Sequence, residues 1–332
     1  MKTLRLVLLS IISCVVFYSC TLNSGIIEEP DMYTVKIGIG GEALDVTYEG
    51  LTRSGSGNMY GIQVYSAPNN GAETTVWTPY ANGLFDSDQN ISLNLLKGYK
   101  YKFEAIMIVD GVDRLASHSN QYYTPFYLGS GGNSSSRSLD NSFDYQASIY
   151  FGAFKSGSTY LKNPNSIFKH PNIERYYGEL SDYVPGRSSD DRIQIQLKRA
   201  SFGAKFMVLG NLANDGQLEV QIEDAPKMVL DITNEDNVIS DIFTFANVGA
   251  AYSDDVHCEK IKVTLNWHQV DGNIFPLGTH ELNFKRNTTT VAKIMIDSDS
   301  SELGIGFKIE ESEMGEMPED ENVLIDDGQI VM

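Results

Sequence analysis

Apolar and polar residues alternate with period two along most of this chain, and runs at helical spacing are rare. Such alternation marks strands with one face in a core and the other in water. Tyr33 to Ile39, Leu44 to Tyr48, Tyr60 to Tyr65 and Ile91 to Leu95 read as strands. The longest, Tyr99 to Val109, runs into Asp110-Gly111, a hairpin-turn signal. Gly129 to Ser138 is a Ser/Gly-rich, low-complexity stretch that reads as a loop, with a further strand from Tyr145 to Phe151. Between Pro164 and Tyr183, the run Asn172 to Tyr183 is the one place where the spacing predicts a short helix. Pro185-Gly-Arg-Ser-Ser-Asp-Asp191 is rich in breakers and reads as a domain junction. Beyond it the alternation resumes at Ile193 to Leu197, Ala204 to Leu209, Gln217 to Ile222, Met228 to Ile232, Ile261 to Trp267, Thr279 to Phe284, Val291 to Ile296 and Ile305 to Ile309. Turns such as Asn214-Asp-Gly216 and Asp271-Gly272 join these runs. The pattern predicts an all-β protein of two tandem Greek-key β-sandwiches, residues 33–186 and 187–332, the second ending in an acidic segment.

The first twenty residues depart from this pattern. Lys2 and Arg5 precede an apolar run from Leu6 to Phe17, long enough for a secretory signal and too short for a stable membrane span. The run ends in Phe17-Tyr18-Ser19-Cys20, a small residue before a cysteine, as lipoprotein processing requires. Aromatics stand where a leucine is usual upstream. Residues 1–19 are therefore expected to be a lipoprotein signal peptide, Cys20 the lipidated residue, and 20–32 a tether. Each acyl methylene buried adds roughly 0.8 kcal/mol, so an acylated Cys20 would anchor the chain without a spanning helix.

Charge narrows the partners. The chain carries 44 acidic and 25 basic residues; without Lys2 and Arg5 the balance is 23 − 44, or −21. That field repels nucleic acid and anionic lipid, so neither is expected as a partner. Outside the signal and the anchor, Cys258 is the one cysteine, and its place before a strand suggests a small buried residue.

No residue set points to an enzyme, a cofactor or a metal. Gly38-Ile-Gly-Gly-Glu-Ala43 has a dinucleotide-binding spacing, yet a strand-like run follows where the motif needs a helix. Asp86-Ser-Asp-Gln-Asn90 opens like a calcium loop but lacks the glycine at the sixth place and the acid at the twelfth. His257 and Cys258 are adjacent and face opposite ways on a strand, while Trp267-His268 and His280 could approach across a hairpin. Gly-x-Ser-x-Gly does not occur, and paired carboxylates are inevitable among 44 acids. Tyr122-Tyr123, Phe126-Tyr127 and Tyr176-Tyr177 fall in loop-like or helix-edge segments, where exposed rings could stack on sugars.

Three stretches of the first half carry a family likeness: the opening strands ending in Leu51-Thr-Arg53, Met59-Tyr-Gly-Ile-Gln-Val-Tyr65, and Tyr101-Lys-Phe-Glu-Ala-Ile-Met-Ile-Val-Asp-Gly111. Leu197-Lys-Arg-Ala-Ser-Phe-Gly-Ala-Lys-Phe206 has the same character in the second half. With these, the chain resembles the fimbrillin-like lipoproteins of Bacteroidetes over about residues 33 to 310. The resemblance implies transthyretin-like sandwiches and an outer-membrane, cell-surface lipoprotein that serves as a pilus shaft, tip or anchor. It also implies removal of a first strand by an arginine-specific protease and occupation of the groove by a strand of the next subunit. Arg53 is the matching candidate for that cut. Val323, Leu324, Ile325, Ile330 and Val331 form the candidate donor strand. Partners would be other pilus subunits, the outer membrane through the lipid, and a host or glycan ligand. The alternative is an outer-membrane glycan-binding lipoprotein, and a poorer one a hydrolase.

Overall fold

The computed structural model describes residues 32–42, 57–71, 74–130, 133–146, 148–186, 192–209, 216–232, 237–269, 271–297 and 304–313. In chain order its strands begin with β1 (Met32–Gly41), β2 (Met59–Pro68), β3 (Thr78–Phe85), β4 (Ser92–Leu96) and β5 (Tyr99–Ile108). The one-turn helix α1 (Gly111–Arg114) leads to β6 (Ser117–His118), β7 (Gln121–Ser130), β8 (Asn133–Ser138), β9 (Ser142–Asp144), β10 (Tyr150–Phe151), β11 (Thr159–Leu161) and β12 (Ser166–Phe168). Next come β13 (Arg175–Tyr183), β14 (Arg192–Arg199), β15 (Ser201–Leu209), β16 (Gly216–Ile222), β17 (Met228–Asp231) and β18 (Val238–Thr244). The short helix α2 (Val248–Ser253) precedes β19 (Cys258–Gln269), β20 (Ile274–Lys285), β21 (Thr288–Asp297) and β22 (Gly304–Glu313). The protein is all-β, as the alternation predicts.

The first unit is organised on one eight-stranded sheet, ordered β4-β1-β14-β13-β5-β2-β3-β9. Its inward side chains, from Val35 and Leu93 near one end to Ala81 and Phe85 near the other, belong to a single buried cluster. The sheet is therefore rolled on itself. Tyrosines bridge its two ends: Tyr80 donates to the Asn94 carbonyl at 2.8 Å, and the Asn94 amide donates to the Tyr145 hydroxyl at 3.0 Å. Small sheets, β10-β7-β6 with β8 on β7 and the β11-β12 pair, form a second layer. Phe126, Phe151 and Phe154 of that layer meet Met59, Ile106 and Tyr177 of the large sheet in a second cluster. Through Ala200 and Phe202 this cluster continues into the second unit, whose two four-stranded sheets are β18-β15-β21-β22 and β17-β16-β19-β20.

Several expectations change against this architecture. The strand after Pro185–Asp191 does not begin the second sandwich: β14 pairs with β1 in parallel and with β13 antiparallel, inside the first sheet. The chain crosses between the units at Ala200, between β14 and β15. Breaker-rich composition marks a break in the strand pattern, and the strands on either side of it, β13 and β14, belong to one sheet. Residues 175–183, expected in a helix, are strand β13, where Tyr176 enters one core cluster and Tyr177 the other. A strand buried on both faces loses its alternation, and its apolar positions then mimic a helical spacing.

Asp110 takes a left-handed conformation (φ 53°), but Asp110-Gly111 turns into α1 and out of the sheet rather than into a hairpin. Asn133–Ser138 is a strand on β7 rather than a loop, and the run Tyr145 to Phe151 contains only the two-residue β10. Cys258 is exposed, not buried, because it occupies an outward position at the start of β19. The acidic Glu310–Glu313 belongs to β22. Leu44 to Tyr48 lies outside the described residues.

Candidate functional site

None of the residues named above for processing or assembly is among the described residues: Cys20, Arg53, Val323, Leu324, Ile325, Ile330 and Val331 all fall outside them. What the structure does describe is the strand that the proposed cut would release. β1 lies between two neighbours, antiparallel to β4 from Met32 to Lys36 and parallel to β14 from Lys36 to Gly41. Val35, Ile37 and Ile39 point into the rolled core and are buried. Burying such side chains stabilises by about 1.5–3 kcal/mol each. Neighbouring strands sit about 4.8 Å apart, so taking β1 away leaves a strand-wide gap, with an unpaired backbone row of β4 along its first half, one of β14 along its second, and three apolar pockets in its floor.

The far end of β1 is shaped by its backbone. Gly41 has φ +81°, and a Cβ there would stand 2.5 Å from the Leu197 carbonyl oxygen, so that place accepts only glycine without strain. The turn it makes delivers Glu42 to the boundary between the units. Arg286, on the β20–β21 turn, donates through Nη1 to both Glu42 carboxylate oxygens, at 2.8 and 3.1 Å. The backbone amide of Arg199 donates to the same carboxylate at 2.7 Å. Arg286 is buried and also reaches the Arg199 carbonyl at 3.2 Å.

Behind this latch the junction is a chain of buried polar groups. The Arg199 side chain donates through Nε to the fully buried Glu174 at 2.9 Å and through Nη2 to the Tyr176 hydroxyl at 2.9 Å, while that hydroxyl donates to Glu174 at 2.5 Å. Arg199 also meets Asn287 of the second unit. Next to it the wholly buried Arg175 donates to the Ser156 carbonyl at 2.6 Å, and burial pushes its guanidinium down to about 9. A polar group buried this deeply is costly unless partnered, so Arg199 and Arg286, whose bonds cross the seam, fix how the first unit meets the second. Glu42 ties β1 to that frame.

The other candidates are placed differently. Asp86–Asn90 makes the turn before β4, with the Asp86 amide held by the Asn141 side chain at 2.9 Å. His257 packs on Phe245 and meets Glu259 at 3.1 Å. His268 stands opposite Ile274 and His280 opposite Val263, so the hairpin does not set the two histidines side by side. Of the six paired aromatics, Tyr122, Phe126, Tyr176 and Tyr177 are core residues and Tyr123 and Tyr127 are exposed. No group of three or more His, Cys, Asp or Glu suited to a metal ion occurs among the described residues.

No family model and no curated protein matches the chain. Solved structures similar to the chain include fimbrial proteins of Porphyromonas gingivalis and candidate adhesion proteins of Bacteroides species. The tip fimbrial protein Mfa3 from Porphyromonas gingivalis is 9% identical, with 84% of this chain and 99% of that chain covered and a TM-score of 0.34. The fimbrial anchor protein Mfa2 from the same organism is 9% identical over 84% and 97%, with a TM-score of 0.36. A candidate cell adhesion protein from Bacteroides eggerthii is 9% identical over 86% and 96%, with a TM-score of 0.39.

Proposed function

We propose that the chain is a structural or adhesive subunit of a cell-surface fimbria, exported as a lipoprotein and joined to its neighbours by strand exchange at the place held by β1. The observation that carries this reading is the position of β1. It is an interior strand near the chain's N-terminus, so it can leave only by opening a slot that another extended segment would fill. Its release would free a backbone row of β4 facing Met32 to Lys36 and one of β14 facing Lys36 to Gly41, along with pockets for three side chains.

Arg53 lies in the stretch between β1 and β2, and a cut after it separates β1 from the body of the protein. The incoming segment would come from another subunit, and the candidate is Val323, Leu324, Ile325, Ile330 and Val331 at the C-terminus of a neighbouring copy. Lipid on Cys20 would hold the uncut chain at the outer membrane, so a subunit that keeps β1 also keeps its anchor. Shaft, tip and anchor roles follow from whether the cut is made.

Electron microscopy and membrane fractionation of cells with and without the gene test the proposal. Surface fibres labelled by antibody to this chain should disappear with the gene, and Cys20→Ala should shift the protein from the membrane to the soluble fraction. Fibres unchanged by the deletion, together with an acylated and membrane-bound Cys20→Ala variant, would overturn it.

A further inference from the structure

The covering layer of the first unit holds a groove that has no part in strand exchange. It is open, has a volume of about 510 Å³, and lies between β6, β7 and the β11–β12 hairpin. Tyr123 from β7 and Tyr160 from β11 form one wall, their rings 5.5 Å apart and tilted by 45°. His118, Lys162 and Asn165 line the remainder. The frame beneath is tied together: the Tyr123 amide donates to the Ala116 carbonyl at 3.2 Å, the Ala116 amide to Tyr160 at 2.9 Å, and the Lys162 amide to Arg114 at 2.9 Å. Leu115 and Leu161, bridged across the same seam, anchor it in the core.

Two features give the groove a chemistry. The side chains of His118, Lys162 and Asn165 line the groove and are exposed. In a chain with 44 acidic residues against 25 basic, the lining contains a lysine and a histidine and no acid at all.

We propose that this groove binds a saccharide unit bearing a carboxylate, such as a sialic or uronic acid residue. A pyranose has an apolar C–H face and a rim of hydroxyls, which suits a site with an aromatic wall and a few convergent polar groups. The Tyr123–Tyr160 wall takes the apolar face, Asn165 and the tyrosine hydroxyls take the rim, and Lys162, with His118 beside it, takes the carboxylate. A charge-assisted hydrogen bond to lysine is about twice as strong as a neutral one, which sets the preference for an acidic sugar over a neutral one. The negative field of the whole chain disfavours a long polyanion, so the unit recognised is a single acidic residue at a glycan terminus.

The test is a titration of the full chain, followed by NMR, with sialyllactose, a glucuronic acid-terminated disaccharide, and lactose. At least one acidic sugar should bind saturably and about tenfold more tightly than lactose, a difference of about 1.4 kcal/mol. The sugar that does so identifies the source of the carboxylate. Tyr123→Ala should lose all three ligands, whereas Lys162→Gln should erase the preference for acid and leave lactose unchanged. Both positions lie at the surface, and an unchanged melting temperature will show that the variants are folded. Equal binding of lactose, no saturable binding of either acidic sugar, or full binding by Tyr123→Ala would each overturn the proposal.

Discussion

The two halves of this molecule bury their strands in different ways. In the first unit, β2, β5 and β13 carry core side chains on both faces over much of their length, and β1 is inserted between two partners. In the second unit, β19 alternates, with Ile261, Val263 and Leu265 inward and Lys260 and Lys262 outward. Its sheets end in β18 and β22, and in β17 and β20, each with one neighbour. The first half is filled from both sides and closed by β1, so the loss of that strand opens it. If subunits exchange a strand as proposed, the interior early strand of the first half is the place for it, and the second half is the frame to which Glu42 ties that strand.

The contrast can be broken first by substitution along single strands. Phe103 and Ile106 of β5 face opposite cores, and each truncation to alanine should cost about 2–5 kcal/mol in denaturant unfolding. On β19 the cost should instead alternate, with Ile261→Ala in the same range and Lys260→Ala within about 0.5 kcal/mol of the parent. A β5 that tolerates either change would show that one of its faces is not a core.

The latch is the next lever. Glu42→Gln keeps the shape and removes the charge facing Arg286, and the expected loss is about 1–3 kcal/mol. Hydrogen exchange should localise the effect, with faster exchange in β1 and its partner β14 and no change in β16 and β19. A uniform change across both units would mean that Glu42 serves general stability rather than retention of β1.

Acid titration gives the smallest effect. Burial pushes the Glu179 carboxyl up, but Lys155, the Tyr177 hydroxyl and Lys102 outweigh it and leave the group below its ordinary range. Because the folded value is depressed, its contribution is fully present above the ordinary carboxylate pKa and is lost as pH falls toward and through the folded value. Glu281 on the outer face of β20 is also lowered, by Lys260, but that pair is exposed. Glu179→Gln should therefore flatten the acid limb of a stability–pH curve, and the flattening should survive added salt. For Glu281→Gln any flattening should vanish with salt.

The same contrast explains what could be read from the sequence. β19 was legible because Lys260, Lys262 and Thr264 interrupt its apolar positions at every second place, and β1 was legible for the same reason. β13 was not, since Tyr176 and Tyr177 are adjacent and both buried, in opposite cores. β7 hid in a run of aromatics that looked like a surface loop, although Tyr122 and Phe126 are core residues. The alternation places β14 on the wrong side of the junction because sheet neighbours are not chain neighbours: Arg192 of β14 pairs with Lys36 of β1, 192 − 36 = 156 positions earlier. The latch had no local signature, since Glu42 and Arg286 are 244 positions apart and neither belongs to a motif. The one local hint is Gly40-Gly-Glu42 after an alternating strand, which also has the spacing of a nucleotide loop but is followed by no helix signal.

Release of β1 is the event on which the account turns, and it can be observed directly. The purified chain is treated with an arginine-specific protease, cleavage after Arg53 is verified by mass, and assembly is followed by light scattering alongside Arg53→Ala. The cut chain should form oligomers, Arg53→Ala should stay folded and monomeric, and a peptide of residues 32–42 in excess should suppress assembly by refilling the slot. A cut chain that remains monomeric with an unchanged melting temperature would contradict it.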